Sequence, residues 1–271
     1  KAELFTPAPE WSGRSDGPGP EHARWHSVIN QSTDSPAPIT LLGFASDEGV
    51  LRNGGRQGAA AGPAALRSAL GSLAVHHKHA LADAGTITTQ ADDLDGAHDA
   101  LSDKVQKLVE AGTLPIILGG GHETAFGSHR GLYRAVGATK IVNLDAHFDL
   151  RRADQATSGT PFKQISELTD DFDYTVLGIS RPNNTAVLFD EAESLGVAIT
   201  LDEELLNLSP AECGELAARA TEGKDKVHLS IDLDVLPAST APGVSAPASL
   251  GVSYEHIRAM AVAIARTGKL A

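Results

Sequence analysis

The 271-residue sequence predicts an α/β protein: a mostly parallel sheet with helices on both of its faces. Three observations lead there. Short apolar, β-branched runs of strand length alternate with segments of helical period, giving about seven strands. No linker interrupts that alternation, so the expected organisation is an N-terminal arm over 1–38, packed on a single domain over 39–271. Acids, histidines and arginines collect just after the strand runs, where sheets of this kind bind their ligands.

The composition narrows the partners. A formal net charge of −13 excludes nucleic acid and anionic membrane as partners, because both require a basic surface. A small molecule is the expected partner, and a homo-oligomer is compatible with the sequence. Cys213 is the only cysteine, which rules out an internal disulfide, suits a reducing compartment and makes packing its expected role. With no apolar run of spanning length and no signal peptide in these residues, the protein reads as soluble and cytoplasmic. The sequence opens on Lys1 rather than Met, so an incomplete gene product is the expectation.

In chain order, the Pro- and Gly-rich arm offers Trp11, Trp25 and Ile29 as anchors. The first strand is expected over 39–44, followed by a glycine-punctuated loop over 47–58 and a helix near 62–67 with Pro63 in its first turn. That loop matches neither phosphate-binding glycine motif and reads as a shaped rim. His76, His77, Lys78 and His79 form a run in which neighbours do not share a face, so they read as solvated surface. A short strand is expected over 85–88. Leu101, Val105, Leu108 and Val109 mark an amphipathic helix over 94–111.

The strand 114–118 then runs into Gly119-Gly120-Gly121-His122-Glu123. The three glycines permit close backbone approach, and His122 is expected to open the next helix. After the strand residues Lys140, Ile141 and Val142 come Asn143-Leu144-Asp145-Ala146-His147-Phe148-Asp149-Leu150-Arg151. Alternation along an extended chain would put Asp145, His147 and Asp149 on one side. A loop over 158–162, strands over 174–181 and 197–201, and a helix begun by Asn183, Asn184 and Thr185 follow. Ser209-Pro210-Ala211-Glu212 is a helix-start signature. The last strand, 227–231, ends in Asp232-Leu233-Asp234. After a Pro/Ala/Ser-rich loop, Ser253 caps a helix with Ile257, Met260, Ala261 and Ile264 inside.

Four carboxylates (Asp145, Asp149, Asp232, Asp234) and two imidazoles (His122, His147) are thus expected in one crevice. So many carboxylates repel unless cations offset them, and two divalent ions carry the charge to do so. The donor types suit Mn(II), Zn(II) or Fe(II). A pair of such ions activates water near neutral pH.

The motifs G-G-G-H-E, D-A-H-F-D and S-I-D-L-D resemble the three metal motifs of the ureohydrolase (arginase/agmatinase) family, over about 38–271. The loop D-E-G-V-L-R-N-G-G-R-Q-G-A and the G-V-S-Y at 251–254 are similar to family segments as well. The resemblance implies a three-layer α/β/α, arginase-like fold, two Mn(II) ions per chain, and hydrolysis of a guanidine or amidine carbon by a metal-bridging hydroxide. By motif position it implies one ion on His122, Asp145, Asp149 and Asp232. It puts the other on Asp145, His147, Asp232 and Asp234, with Asp145 and Asp232 shared.

Departures from the family pattern point to one branch. Arginases and agmatinases usually show G-G-D-H-S, whereas here Gly121 precedes the histidine and Glu123 follows it. Arg151 stands where arginases have an asparagine. Phe162, in S-G-T-P-F, replaces a histidine credited with proton shuttling. With G-I-S-R-P-N-N-T at 178–185, these features resemble the branch that hydrolyses N-formimidoyl-L-glutamate to glutamate and formamide in histidine degradation. Such a dianionic substrate calls for arginine forks. Arg151 is the leading candidate and Arg181 the next, ahead of Arg56 and Arg152; Ser158, Thr160 and Asn184 are further expected substrate contacts. The alternatives are an agmatinase, an arginase, a guanidino-acid hydrolase, or a metal-binding module without turnover. Family members continue past a helix like the last one with a strand bearing D-x-x-E-x-N-P. The sequence therefore leads one to expect a truncated chain with an open sheet edge.

Overall fold

The structure is a computed structural model that describes residues 4–31, 37–77 and 79–271. These residues fall into two compact units, Lys1–Arg52 with Gln57–Ala135, and Asn53–Arg56 with Val136–Ala271. Helices and parallel-dominated sheets give the α/β class expected.

The first unit contains β1 (Phe5–Thr6), α1 (Trp25–Val28), β2 (Ile39–Ala45), α2 (Glu48–Arg52), α3 (Gly62–Gly71), β3 (Leu81–Thr88), α4 (Leu94–Glu110), β4 (Leu114–Leu118) and α5 (Thr124–Val136). Its sheet runs β1-β3-β2-β4, parallel except for the β1–β3 pair. Trp11 and Ile29 of the arm pack with Leu41, Leu81 and Leu118, and the Trp11 and Trp25 rings stack at 6.4 Å. β3 begins four residues before the start expected from sequence, at Leu81 rather than Gly85. Asp83 disguised it. A fully buried aspartate interrupts the apolar pattern, and only its partners, Arg67 at 2.7 and 2.8 Å and the Trp11 indole N–H at 2.8 Å, make its burial tolerable. The register shift opposite Leu41 and Gly43 falls at Gly85, whose φ of +98° no β-branched residue would accept.

His122 and Glu123 lie in a turn ahead of α5, which starts at Thr124, so His122 precedes the helix rather than opening it. The glycines act as expected. A Cβ on Gly120 would stand 2.6 Å from the Phe44 carbonyl, and one on Gly121 only 2.1 Å from the Glu123 carboxylate. His76, His77 and His79 are exposed, as the sequence suggested; Lys78 lies outside the described residues.

The second unit contains β5 (Lys140–Leu144), α6 (Pro161–Ser166), β6 (Asp173–Ile179), α7 (Ala186–Ser194), β7 (Ala198–Leu201), α8 (Asp202–Leu206), α9 (Pro210–Arg219), β8 (Val227–Ile231) and α10 (Tyr254–Arg266). Its sheet, β7-β6-β5-β8, is wholly parallel. Val142, Leu144, Leu177, Cys213, Val227, Ile257, Met260 and Ile264 form its core, and Cys213 is a buried free thiol. Ser209 caps α9 and Glu212 closes the capping box, as read from sequence. Beyond α10, Leu270 makes a parallel bridge to Val227. Among the described residues no helix is long and apolar enough to cross a membrane.

Candidate metal centre

Strand β5 is the scaffold of the site. It is paired on both sides, and its in-register match with β8 (Lys140↔Val227 through Leu144↔Ile231) puts the next residues, Asp145 and Asp232, opposite each other. The ladder continues one step, because the Asp232 N–H donates to the Leu144 carbonyl at 2.9 Å. Both aspartates then do the same local work. An Asp145 carboxylate oxygen accepts the His147 N–H at 2.8 Å, and an Asp232 oxygen accepts the Asp234 N–H at 2.8 Å. Each D-x-H or D-x-D motif is therefore a tight Asx-type turn whose first residue fixes the third.

Asp145, His147 and Asp149 do not converge by strand alternation. β5 ends at Leu144, and the three lie on an irregular turn in which Asp149 takes φ +50°. Aspartate tolerates that left-handed conformation better than most residues, and strain of this kind concentrates at functional sites. The backbone is held there by the Phe162 N–H, which donates to the Asp149 carbonyl at 3.1 Å. On the neighbouring strand, Gly178 (φ +111°) marks a register shift; a Cβ there would stand 2.6 Å from Val235 and 3.3 Å from the Asp145 carbonyl.

In this unit Asp145, His147 and Asp234 offer ligand atoms within 4.8 Å of one another, and so do Asp145, Asp149 and Asp232. His147 Nδ1 stands 3.0 Å from Asp234 and 3.7 Å from Asp145. Burial works against a charged imidazole, but hydrogen bonds and charges from Asp145 and Asp234 outweigh it and push the His147 pKa up to about 11. Burial, with the charges of Asp232 and Asp145, also drives the Asp234 carboxyl upward. One Asp234 oxygen is buried with no hydrogen-bond donor among the described residues. An orphaned carboxylate oxygen beside an imidazole and further carboxylates is a set that fits a divalent, borderline-hard cation. His122, half-buried in the first unit, follows β4 in its glycine turn.

The expected substrate contacts divide. Arg151 donates its backbone N–H to the Gly159 carbonyl at 2.9 Å. Its exposed side chain runs so close to Gly159 that a Cβ there would stand 2.8 Å from Cδ. Its guanidinium has no acidic partner among the described residues. Arg181 is exposed, its guanidinium 5.7 Å from the centre of the Phe189 ring. Arg56 donates to the Val244 carbonyl at 2.7 Å, and Arg152 is engaged by Glu191. Ser158 is half-buried. Thr160 is buried, with its hydroxyl shared among Thr157 and Gln164. Asn184 is buried too. It accepts the Phe148 N–H at 3.2 Å and donates to the carbonyls of Ala146 and Ser180 at 2.8 and 2.9 Å, so its amide buttresses the ligand turn. Phe162 is fully buried, stacked on Tyr174 at 4.5 Å. Asn143, which the sequence reading passed over as a site residue, donates to the Asp145 carboxylate at 3.0 Å, and Tyr174, also passed over, bonds Asn143 and the Phe148 carbonyl. An asparagine inside an otherwise apolar strand run was the available signal.

Residues 37–271 match the model of the arginase family. The chain is 48% identical over 265 residues to a formimidoylglutamase of Corynebacterium efficiens, covering 96% of this chain and 84% of that one. It is 47% identical over 273 residues to a formimidoylglutamase of Citrobacter koseri, covering 96% and 86%. The fold superposes with a TM-score of 0.82 on a crystal structure of Trypanosoma cruzi formiminoglutamase with two Mn2+ ions, at 30% identity, covering 90% of this chain and 86% of the other.

Proposed function

Because the chain belongs to the arginase family, we propose that it is a hydrolase that uses two Mn(II) ions to cleave N-formimidoyl-L-glutamate to L-glutamate and formamide. The observation that carries the reading is the in-register pair of acid-led turns at Asp145 and Asp232, on a chain 48% identical to a formimidoylglutamase. By motif position, His122, Asp145, Asp149 and Asp232 hold one ion, and Asp145, His147, Asp232 and Asp234 the other. The ions, when bound, supply the charge and Lewis acidity that activate water for attack on an amidine carbon. The protein's own part is to place them. Asp145 and Asp232 are locked by the strand register and by the N–H groups they accept. Asp234 and His147 are held against each other, 3.0 Å apart.

Substrate choice falls to arginine. Arg151 follows Asp149 by two residues on the same segment, and its exposed guanidinium, without an acidic partner among the described residues, is the leading candidate for a glutamate-derived carboxylate. Arg181 is the second candidate, with Ser158 beside Arg151's loop. Asn184 and Thr160 serve in this reading by shaping the loops that carry those groups, since their polar atoms are already occupied. A cationic substrate such as agmatine would be repelled. A reducing, cytoplasmic setting belongs to the same reading, supported by the buried free thiol of Cys213.

The test is a substrate panel with added Mn(II), run beside Asp232→Asn. Formamide release from formimidoylglutamate should exceed turnover of agmatine, arginine and guanidino acids, and the variant should lose bound manganese and activity together. Faster turnover of agmatine or arginine defeats the substrate assignment, and a variant keeping both ions and near-native turnover defeats the metal assignment.

A further inference from the structure

We propose that Tyr174 is a positioning residue of the metal centre, one hydroxyl that keys both the Asp145 carboxylate and the turn carrying His147 and Asp149. The inference rests on the reading of Asp145 as a metal ligand. Tyr174 sits on β6 opposite Ile141, which makes it the diagonal, same-face neighbour of Asn143 on β5. The Asn143 amide uses its two N–H bonds on two acceptors, an Asp145 carboxylate oxygen at 3.0 Å and the Tyr174 hydroxyl at 3.1 Å. The Tyr174 O–H then donates to the Phe148 carbonyl at 3.1 Å, between His147 and Asp149.

The arrangement fixes three things at once. It settles the orientation of the Asn143 amide, since a flip would aim a carbonyl at a carboxylate. It settles the rotamer of Asp145, whose other oxygen accepts the His147 N–H at 2.8 Å. It also anchors the ligand turn at the peptide between two expected ligands. All three residues, Asn143, Tyr174 and Asp145, are buried, so water does not compete for these bonds. The orientation has a cost. The Asn143 side-chain carbonyl is buried without a donor among the described residues, the penalty that accompanies turning both amide N–H bonds to Asp145 and Tyr174. Phe162, stacked on the Tyr174 ring at 4.5 Å and 13°, holds the phenol in place. The position where related enzymes carry a histidine is here part of the support under the metal ligands.

Tyr174→Phe keeps the ring on Phe162 and removes only the hydroxyl. Manganese binding to the full-length chain, measured by competition titration and by the electron paramagnetic resonance signal of the bound ions, should weaken about tenfold or more, as loss of an outer-shell partner to a ligand typically does. Asn143→Ala should weaken it similarly, and the double variant no further than either alone, because both act through one connection. A hydroxyl that serves only folding would lower the melting temperature and leave manganese affinity alone. Folded Tyr174→Phe with affinity within twofold of the parent therefore overturns the inference. If that variant does not fold, Asn143→Ala decides by the same criterion. Asp145→Asn separates the levels: loss of manganese there with parent-like Tyr174→Phe sinks only this inference, whereas retained manganese in Asp145→Asn sinks the metal reading and this inference with it.

Discussion

Arg152 and Glu191 form a bidentate ion pair, with the Arg152 Nη2 standing 3.0 Å from each carboxylate oxygen. Lys163 joins the same carboxylate at 3.2 Å. Burial opposes ionisation of Glu191, but these two cations prevail and hold its pKa below the ordinary value. The adjacent Arg151 has no such partner among the described residues. Two neighbouring arginines of identical chemistry are thereby sorted, one spent on the surface and one left available for an anion.

Arg151→Ala and Arg152→Ala should therefore differ sharply. Removing the Arg151 fork should raise KM for formimidoylglutamate by roughly thirtyfold, about 2 kcal/mol, the low end of the range for a charged partner because this guanidinium starts out solvated. Arg152→Ala should leave KM within about twofold, since exposed pairs of that kind contribute little. Bound manganese should be unchanged in both. Steady-state kinetics and metal analysis check this, and equal KM effects at the two positions would contradict the sorting.

In the first unit, His98 and Glu123 set up opposing pH dependences. Burial lowers the His98 pKa to about 4 and raises that of Glu123 to about 7. They adjoin: the His98 Nε2 bonds the Glu123 backbone carbonyl at 2.9 Å. A depressed histidine contributes stability that is present above the unfolded value of 6.5 and is lost as pH falls toward 4. A raised carboxyl contributes stability that is full below 4.5 and is lost as pH rises through 7. Each amounts to something on the order of 3 kcal/mol, so over this window the two nearly cancel. Glu123→Gln should expose the histidine: relative to the parent, its unfolding free energy should drop by about 3 kcal/mol between pH 6.5 and 4. Urea denaturation across that range is the measurement, and parallel pH curves for variant and parent would refute it.

Asp83→Ala should be among the most damaging substitutions in the first unit. It leaves the Arg67 guanidinium, 7% exposed, buried without its counter-charge and frees the Trp11 indole N–H. A broken buried pair costs about 3–5 kcal/mol. Asp99→Ala, which breaks the more exposed pair with Arg130, should cost under about 1 kcal/mol. Chemical denaturation of the two variants gives the comparison directly.

Much of this protein was legible in one dimension. The run Ile141–Leu144 is a buried strand, and Val227–Ile231, buried only at Val227, pairs beside it as its length and β-branching suggest. A histidine behind three glycines, and acids at spacing two after a strand, announce a ligand site before any coordinates exist. What the sequence did not carry was the reason those residues meet. Alternation along β5 does not bring Asp145, His147 and Asp149 together; a left-handed Asp149 and the strand register do. Nor could Asp83 be recognised as a strand residue while Arg67, far along the chain, was not known to face it. Arg151 and Arg152 are indistinguishable as letters, and only the position of Glu191 on α7 separates them. Sequence determined the inventory, because periodicity and motif spacing are local properties of the chain. Tertiary structure alone decided which polar groups are spent and which remain free, because a hydrogen bond or ion pair depends on distances between residues the chain keeps apart.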